Sequence, residues 1–233
     1  MNAPCLPQVP SRRRFLQVGT AGTVAGLLGS CLDLAVPRAA GAQSALTPDA
    51  ALSELMQGNK RFVAGTLTAH DHDLAILKQH TAEKQEPFAA VLSCADSRVP
   101  VELVFDQTIG HIFVTRVAGN VISPEIIASL EYGAAVLGTK VILVMGHSNC
   151  GAVNATVKGK EVPGQISALF PHIQPAVEQA GPNLEAATKV NAKIQATLLS
   201  QASTVVSGLL KEGKLKVVAG YYDVGSGAVT LLA

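Results

Sequence analysis

The sequence is poor in aromatic and in charged residues. Phe and Tyr together make up 4% of its 233 residues, Trp is absent, and charged residues make up only 15%. The formal net charge of +1 excludes the strongly basic surface with which proteins bind nucleic acid or an acidic membrane. Apolar residues reach 48%, which is too many for a disordered chain. We therefore expect a soluble globular α/β protein, large enough for one compact domain and a short appendage.

An apolar run that could serve as a permanent membrane span is also missing. A span needs about 20 apolar residues, whereas glycines dilute the weakly apolar run over residues 18–34. The preceding residues 11–16 read Ser-Arg-Arg-Arg-Phe-Leu, and residues 40–42 read Ala-Gly-Ala. This order is typical of a twin-arginine signal peptide, which directs the export of folded proteins. We predict a signal peptide over residues 1–42, one domain over residues 43–233, and a periplasmic location.

Two other interpretations of the leader remain open. An ordinary secretory signal or a basic tail would also explain the arginines. Residues 28–31 read Leu-Gly-Ser-Cys, a weaker match to a lipoprotein site that would leave a lipid on Cys31. Because the leader holds four arginines and one aspartate, the remaining domain has 14 basic and 16 acidic residues, a net charge of −2. The domain therefore has no basic footprint for nucleic acid or for a membrane surface.

Cysteine is scarce, and its positions argue against a disulfide. Cys5 and Cys31 lie in the leader, which leaves Cys94 and Cys150 in the domain. Two cysteines in an exported protein would form a disulfide by default. Each of these two, however, lies among other side chains that bind metals. The lack of a Cys-x-x-Cys pair weakens a further alternative, a thiol redox protein.

Short apolar runs alternate with helical segments from residue 88 onward. This alternation is typical of a parallel sheet covered by helices on both faces. Strands are expected over residues 88–93, 111–116, 140–146, 215–222 and 228–232. Helices are expected over residues 48–63, 73–85, 124–137, 150–158, 165–180 and 184–211. The predicted fold class is α/β, with a central, mainly parallel sheet of four strands plus an antiparallel edge strand.

Soft metal ligands follow two of the predicted strands. Residues 94–98 read Cys-Ala-Asp-Ser-Arg after the first strand, and residues 147–151 read His-Ser-Asn-Cys-Gly after the third. In an open α/β sheet, ligands bind in the crevice beyond the carboxyl ends of the strands. Adjacent strands would bring Cys94, His147 and Cys150 around one ion. Thiolates with an imidazole favour Zn²⁺, and three protein ligands leave the fourth position open for water.

Asp96 and Arg98 follow Cys94 at alternating positions, so all three side chains can face the crevice. A carboxylate held by a guanidinium group can accept a hydrogen bond from zinc-bound hydroxide and orient its attack. Asp96 is also a possible fourth zinc ligand in a closed state, and its pairing with Arg98 would then keep the site open. A surface salt bridge at the start of a helix is the alternative without a catalytic role.

The two clusters resemble the paired zinc motifs of β-class carbonic anhydrases. The likeness continues through residues 58–62 (Gly-Asn-Lys-Arg-Phe), 98–100 (Arg-Val-Pro), 116–120 (Arg-Val-Ala-Gly-Asn) and 132–133 (Tyr-Gly). It spans nearly the whole chain after the leader. The resemblance implies reversible hydration of carbon dioxide to bicarbonate and a proton, and one Zn²⁺ per chain. It also implies a homodimer or a higher homo-oligomer with the active site near the dimer interface.

Carried over residue by residue, the resemblance makes Cys94, His147 and Cys150 the zinc ligands and Asp96 with Arg98 the catalytic pair. It also suggests that Gln107 lines the substrate pocket.

Some members of the family have an accessory bicarbonate pocket made from a Trp, an Arg and a Tyr. Arg116 and Tyr132 occupy matching places, but Val91 stands where the Trp would be, so inhibition by bicarbonate at that pocket is not implied. Arg116 is equally consistent with a buried structural salt bridge. Tyr132 is more consistent with a position in the core.

Two rival functions fit the same ligands. A zinc hydrolase of an analogous small molecule, such as carbon disulfide, would use the same fold and the same ion. A structural zinc module without catalysis would close the ion with four protein ligands, which gives Asp96 a role but leaves Arg98 without one.

Overall fold

The computed structural model describes residues 44–69, 78–79, 81–159 and 161–233. The predicted signal peptide lies outside these residues, as do residues 73–77 and 80 of the helix expected over residues 73–85. Residues 78, 79 and 81 of that helix are helical. Residues 82–87 are described but are not helical, so the helix ends earlier than the sequence suggested.

The strands form one mainly parallel sheet, in the spatial order β2-β1-β3-β4-β5. Pairing is parallel from β2 through β4, and β5 joins β4 in the antiparallel direction. This confirms the predicted fold class, and each strand lies within one residue of its predicted bounds. The strands are β1 (Ala89–Ser93), β2 (Ile112–Arg116), β3 (Val141–His147), β4 (Lys216–Tyr222) and β5 (Val229–Leu232).

Helices pack on both faces of the sheet, as the buried runs of β1 and β3 require. They are α1 (Pro48–Ala64), α2 (Val101–Val104), α3 (Pro124–Glu131), α4 (Gly151–Lys158), α5 (Phe170–Ala180), α6 (Leu184–Ala202) and α7 (Thr204–Lys211). On one face, Val91 and Leu143 of the sheet pack with Leu55 of α1. On the other, Leu92 and Val144 pack among residues of α3, α6 and α7.

Several helices depart from the sequence prediction. The segment over residues 124–137 begins as α3 but ends in a π-helical turn, Tyr132–Val136. The segment over residues 165–180 begins as a 3₁₀ helix, Gly164–Leu169, before α5. The single helix expected over residues 184–211 is wrong, because Ser203 adopts an extended backbone and its hydroxyl caps α7 through the amide of Val206. Helix α2 was not predicted.

The sequence motif at residues 58–62 ties α1 to the rest of the fold. A Cβ atom at Gly58 would lie 1.8 Å from the carbonyl oxygen of Phe105, so only glycine permits this close approach. The buried Asn59 side chain donates to the carbonyls of Val104 and Gly227 and accepts from the amide of Val229. The motif therefore holds α1 against the loop before β2 and against β5.

Among the described residues, no helix is both long and apolar enough to span a bilayer.

Candidate metal centre

Parallel strand pairing brings the two predicted ligand clusters to the same edge of the sheet. Ser93, the last residue of β1, pairs with Met145 of β3. Cys94 follows directly after β1, and His147 ends β3 two residues beyond that pair. Cys150 then caps the amino end of α4. The three side chains consequently meet beyond the carboxyl ends of two adjacent strands, where α/β sheets bind ligands.

The sulfur atoms of Cys94 and Cys150 and a ring nitrogen of His147 lie within 4.8 Å of one another. All three side chains are buried. The two sulfurs are 4.0 Å apart and both cysteines are free, so the disulfide alternative is wrong for this structure. The geometry is that of ligands arranged around one ion.

The histidine ring is oriented for metal binding. Its Nδ1 atom lies 2.9 Å from the carbonyl oxygen of Ser148, a contact in which the ring N–H donates. Nε2 then carries the free lone pair. That atom is buried and has no hydrogen-bond partner among the described residues. Metal-binding histidines commonly donate their second ring nitrogen to a carbonyl in this way, so Nε2 of His147 fits a metal ligand.

The two thiols shift each other's pKa values in opposite directions. The pKa of Cys94 is lowered to about 4, chiefly by its hydrogen bond with Cys150; burial opposes the shift, and a hydrogen bond from the Gly119 amide supports it. The pKa of Cys150 is raised, because it holds the shared proton and because burial disfavours a second thiolate. A divalent cation would remove that obstacle by neutralising both charges. Two such sulfurs with one imidazole nitrogen fit Zn²⁺.

Asp96 and Arg98 form a two-point ion pair beside these ligands. Arg98 Nε donates to Asp96 Oδ1 at 2.9 Å, and Nη2 donates to Oδ2 at 2.7 Å. Asp96 Oδ2 lies 3.8 Å from His147 Nε2. The hydrogen bonds from Arg98 hold the pKa of Asp96 well below its usual range, although partial burial acts against this. The carboxylate is therefore ionised at neutral pH and is held by Arg98.

Arg98 also connects the two ligand clusters. Its Nη2 atom donates to the carbonyl oxygen of Asn149, the residue before Cys150, at 3.2 Å. Half of its side chain is exposed, as a surface salt bridge would require, but the side chain of Asp96 is only 17% exposed. The pair therefore lies at the mouth of the metal centre rather than on an outer surface.

Gln107 donates to the carbonyl oxygen of Phe105 and lines a cleft with Glu54. Its expected place in the substrate pocket stays a prediction. Two other residues lie away from their expected environments. Tyr132 is 47% exposed and therefore does not lie in the core. Arg116 is exposed and makes no ion pair among the described residues, so the buried salt bridge is wrong.

Sequence reasoning missed the groups that support the ligands through the backbone. The carbonyl of Ser148 and the amide of Gly119 hold His147 and Cys94, yet a backbone group leaves no mark on residue type. Aligning the ends of the predicted strands could have found part of this support. Strands β1 and β2 place residue 116 beside residue 93, directly before Cys94.

The fold and the centre define an α/β protein in which three side chains could hold one metal ion beside an ion pair. The family model described as carbonic anhydrase matches residues 89–229. Carbonic anhydrase 2 of Mycobacterium tuberculosis is 33% identical over 198 residues, which cover 79% of this chain and 92% of that protein. A carbonic anhydrase of Pseudomonas aeruginosa is 29% identical, over 78% of this chain and 87% of its own length.

Solved structures give the same result. A β-carbonic anhydrase of Aspergillus fumigatus superposes with a TM-score of 0.64 at 26% identity, covering 78% of this chain and 90% of its own. A tetrameric β-carbonic anhydrase of Sordaria macrospora shares the fold, with a TM-score of 0.65 at 21% identity over 78% of this chain and 96% of its own. The chain belongs to the carbonic anhydrase family, in its β class. Enzymes of this class use zinc to interconvert carbon dioxide and bicarbonate.

Proposed function

We propose that this chain catalyses the reversible hydration of carbon dioxide at one zinc ion held by Cys94, His147 and Cys150. The observation that carries the proposal is the convergence of two free thiols with an unpartnered, buried imidazole nitrogen. Bound zinc supplies a Lewis acid that lowers the pKa of a water molecule from 15.7 toward about 7. Three protein ligands leave room for that water, whereas a structural zinc module would use a fourth protein ligand.

The side chains around the ion would then share three tasks. Asp96 Oδ2 would accept a hydrogen bond from the attacking water or hydroxide, which turns an oxygen lone pair toward the carbon of the substrate. Arg98 holds that carboxylate at two points and prevents it from rotating. Apolar residues packed with the cysteines exclude solvent, which strengthens the electrostatic interactions in the site.

Stopped-flow measurement of carbon dioxide hydration by the purified domain, with its zinc content, tests this function. Hydration that requires about one zinc per chain would support it. Carbon disulfide hydrolysis without carbon dioxide hydration would instead favour the rival hydrolase. Stoichiometric zinc with neither activity would favour a structural zinc module.

We also propose that the chain works as a homodimer or a higher homo-oligomer. Strand β2 ends the sheet, so its outer edge has no strand partner among the described residues. Such an edge is a ready template for pairing with another chain. The exposed Tyr132 ring lies against Phe113 of β2 and, with the exposed Val136, extends the edge into an apolar surface. The Sordaria macrospora relative is tetrameric.

The double substitution Tyr132→Lys with Val136→Lys is expected to shift the protein from dimer toward monomer, because it places two charges on this apolar surface. Light scattering at several concentrations measures the mass. Leu198→Lys, an exposed apolar position on α6, is the matched control and should keep the parent mass. A parent protein that is monomeric at high concentration would contradict the proposal.

We further propose export in folded form through the twin-arginine route to the periplasm. The Ser-Arg-Arg-x-Phe-Leu pattern and the glycine-diluted apolar run support it. Loading zinc before export would also protect Cys94 and Cys150 from oxidation in the new compartment.

Replacing Arg12 and Arg13 with lysine is therefore expected to leave most of the precursor inside the cell. Cell fractionation with immunoblotting measures the ratio of precursor to processed protein. Arg38→Lys lies outside the arginine motif and serves as the control. Unchanged export of the double variant that depends on the unfolded-chain pathway would favour a general secretory signal. A processed protein that stays on membranes until Cys31 is replaced by serine would favour the lipid anchor.

A further inference from the structure

Arg116 lies at the point where strand β2 meets the loop that carries Cys94 and Asp96. It is the last residue of β2 and pairs with Ser93, the last residue of β1. Residues 94–96, which come directly after β1, have no regular secondary structure. Within the loop, the amide of Val99 donates to the carbonyl oxygen of Asp96 at 3.1 Å. The other hydrogen bonds to the backbone oxygens of residues 94–96 come from outside the loop.

The guanidinium group of Arg116 supplies two of those hydrogen bonds. Its Nε atom donates to the carbonyl oxygen of Cys94 at 2.9 Å, and its Nη2 atom donates to the carbonyl oxygen of Asp96 at 2.5 Å. The first carbonyl belongs to Cys94, a candidate zinc ligand. The second belongs to Asp96, the candidate acceptor of a hydrogen bond from the reacting water. One planar group thus holds both residues at a set separation.

Neighbouring backbone groups hold the same loop. The amide of Val117 donates to the carbonyl of Ser93 at 3.1 Å, and the amide of Gly119 donates to the sulfur of Cys94 at 3.4 Å. The buried Asn191 side chain in turn donates to the carbonyl of Gly119 at 2.8 Å. Residues 116–119 therefore form a template along the loop, and Arg116 is its only member that contacts both Cys94 and Asp96 through a side chain among the described residues.

Arg116 has no carboxylate within ion-pair distance among the described residues. Its donors are directed at two backbone oxygens instead of at an acid. Asp96 is thereby held at both ends, by Arg98 at its carboxylate and by Arg116 at its carbonyl.

We propose that Arg116 is a positioning residue, which sets the separation and direction of Cys94 and Asp96 through their carbonyl oxygens. The inference rests on the proposed function, since it assigns both residues to the zinc site. Arg116 does not touch the substrate. Its loss still lets the three ligands bind the metal, but the loop with Cys94 and Asp96 adopts several conformations, so that the carboxylate is seldom aligned.

The test compares Arg116→Met, which removes every donor and keeps the aliphatic stem, with Arg116→Lys, which keeps the charge without the two-point geometry. Loss of a residue that orients metal ligands typically costs about 10- to 100-fold in activity or metal affinity. We expect Arg116→Met to lose kcat per bound zinc to this extent with little change in KM. Arg116→Lys should be intermediate, and added guanidinium ion should restore part of the kcat of Arg116→Met.

Cobalt substitution gives a measurement that does not depend on activity. With Co²⁺ in place of Zn²⁺, the visible bands of Arg116→Met should broaden and shift relative to the parent, because Cys94 would adopt more than one geometry. Lys158→Met removes an exposed positive charge at the end of α4 and is the matched control. It should keep the parent kcat and the parent spectrum, and its kcat should not respond to guanidinium.

Parental kcat per zinc and a parental cobalt spectrum in Arg116→Met would overturn the inference. So would a loss of activity that only tracks the fraction of unfolded protein. If Arg116→Met does not fold, Arg116→Lys decides, and a parental kcat and cobalt spectrum in that variant would show that two-point donation is unnecessary. A zinc-loaded parent that does not hydrate carbon dioxide would refute the proposed function instead, while the cobalt spectra would still test the positioning role.

Discussion

Replacing Cys94 with serine is expected to abolish zinc binding and carbon dioxide hydration. The thiol of Cys94 is buried, and its sulfur lies 4.0 Å from the sulfur of Cys150. The sulfur also accepts a hydrogen bond from the amide of Gly119. A serine hydroxyl does not ionise near neutral pH and is a poor zinc ligand. Two protein ligands would remain. We expect a fall in hydration rate of at least about a thousandfold, since the activation of water by the metal is lost.

Metal analysis after dialysis against a weak chelator, together with stopped-flow hydration, measures the effect. Ser97→Ala lies in the same loop, is exposed and serves as the control, and it should keep full zinc and activity. Circular dichroism separates loss of metal from loss of fold, because the core clusters of the sheet do not depend on Cys94. A folded Cys94→Ser protein with full zinc and parental activity would refute the ligand assignment.

The sheet was predictable because each strand is an apolar run that ends at a polar or glycine-rich boundary. Strands β1 and β3 are buried along their whole length, and such runs are hard to mistake when helical segments separate them. The helices were less predictable where a single residue changes the outcome. Ser203 interrupts a long helical pattern because its hydroxyl donates to the carboxylate of Glu131 and accepts from the amide of Val206 in the first turn of α7. Its partner Glu131 is 72 residues away, beyond any local pattern.

The candidate site divides in the same way. Cys94, His147, Cys150, Asp96 and Arg98 were found because uncommon side chains follow two buried strands. The contacts of Arg116 were not found, because their acceptors are carbonyl oxygens that every residue possesses. The contacts of Gln107 were not predicted, for a related reason. The sequence gives its neighbours along the chain but not the side of the fold on which its side chain lies.

Arg98→Ala is expected to keep zinc while losing about 100-fold in hydration rate, an effect at the upper end for residues that orient a metal site. Arg98 makes no contact with the three ligand atoms, so the metal should remain. It supplies the two hydrogen bonds that hold the Asp96 carboxylate. Without them that carboxylate, which lies 3.8 Å from His147 Nε2, is free to turn toward the metal position.

The charge of Asp96 determines how the Arg98→Ala variant responds to pH. Hydrogen bonds from Arg98 lower the pKa of Asp96, so their removal lets that pKa rise toward its ordinary value near 4. The carboxylate remains ionised at neutral pH and can occupy the fourth position around zinc. Hydroxide competes better for that position as the pH rises. The hydration rate of Arg98→Ala should therefore increase with pH more steeply than that of the parent.

X-ray absorption at the zinc edge distinguishes a blocked site from a merely misaligned one. If Asp96 closes the site in Arg98→Ala, the spectrum should show a carboxylate oxygen in the position that water occupies in the parent. The double variant Arg98→Ala with Asp96→Asn should lack this feature, because a carboxamide is a much weaker zinc ligand than a carboxylate. Arg98→Lys, which keeps the charge but not the two-point contact, should lie between parent and Arg98→Ala in activity. Parental hydration rates in Arg98→Ala from neutral to alkaline pH would show that Asp96 stays in place unaided and that Arg98 does not control access to the metal.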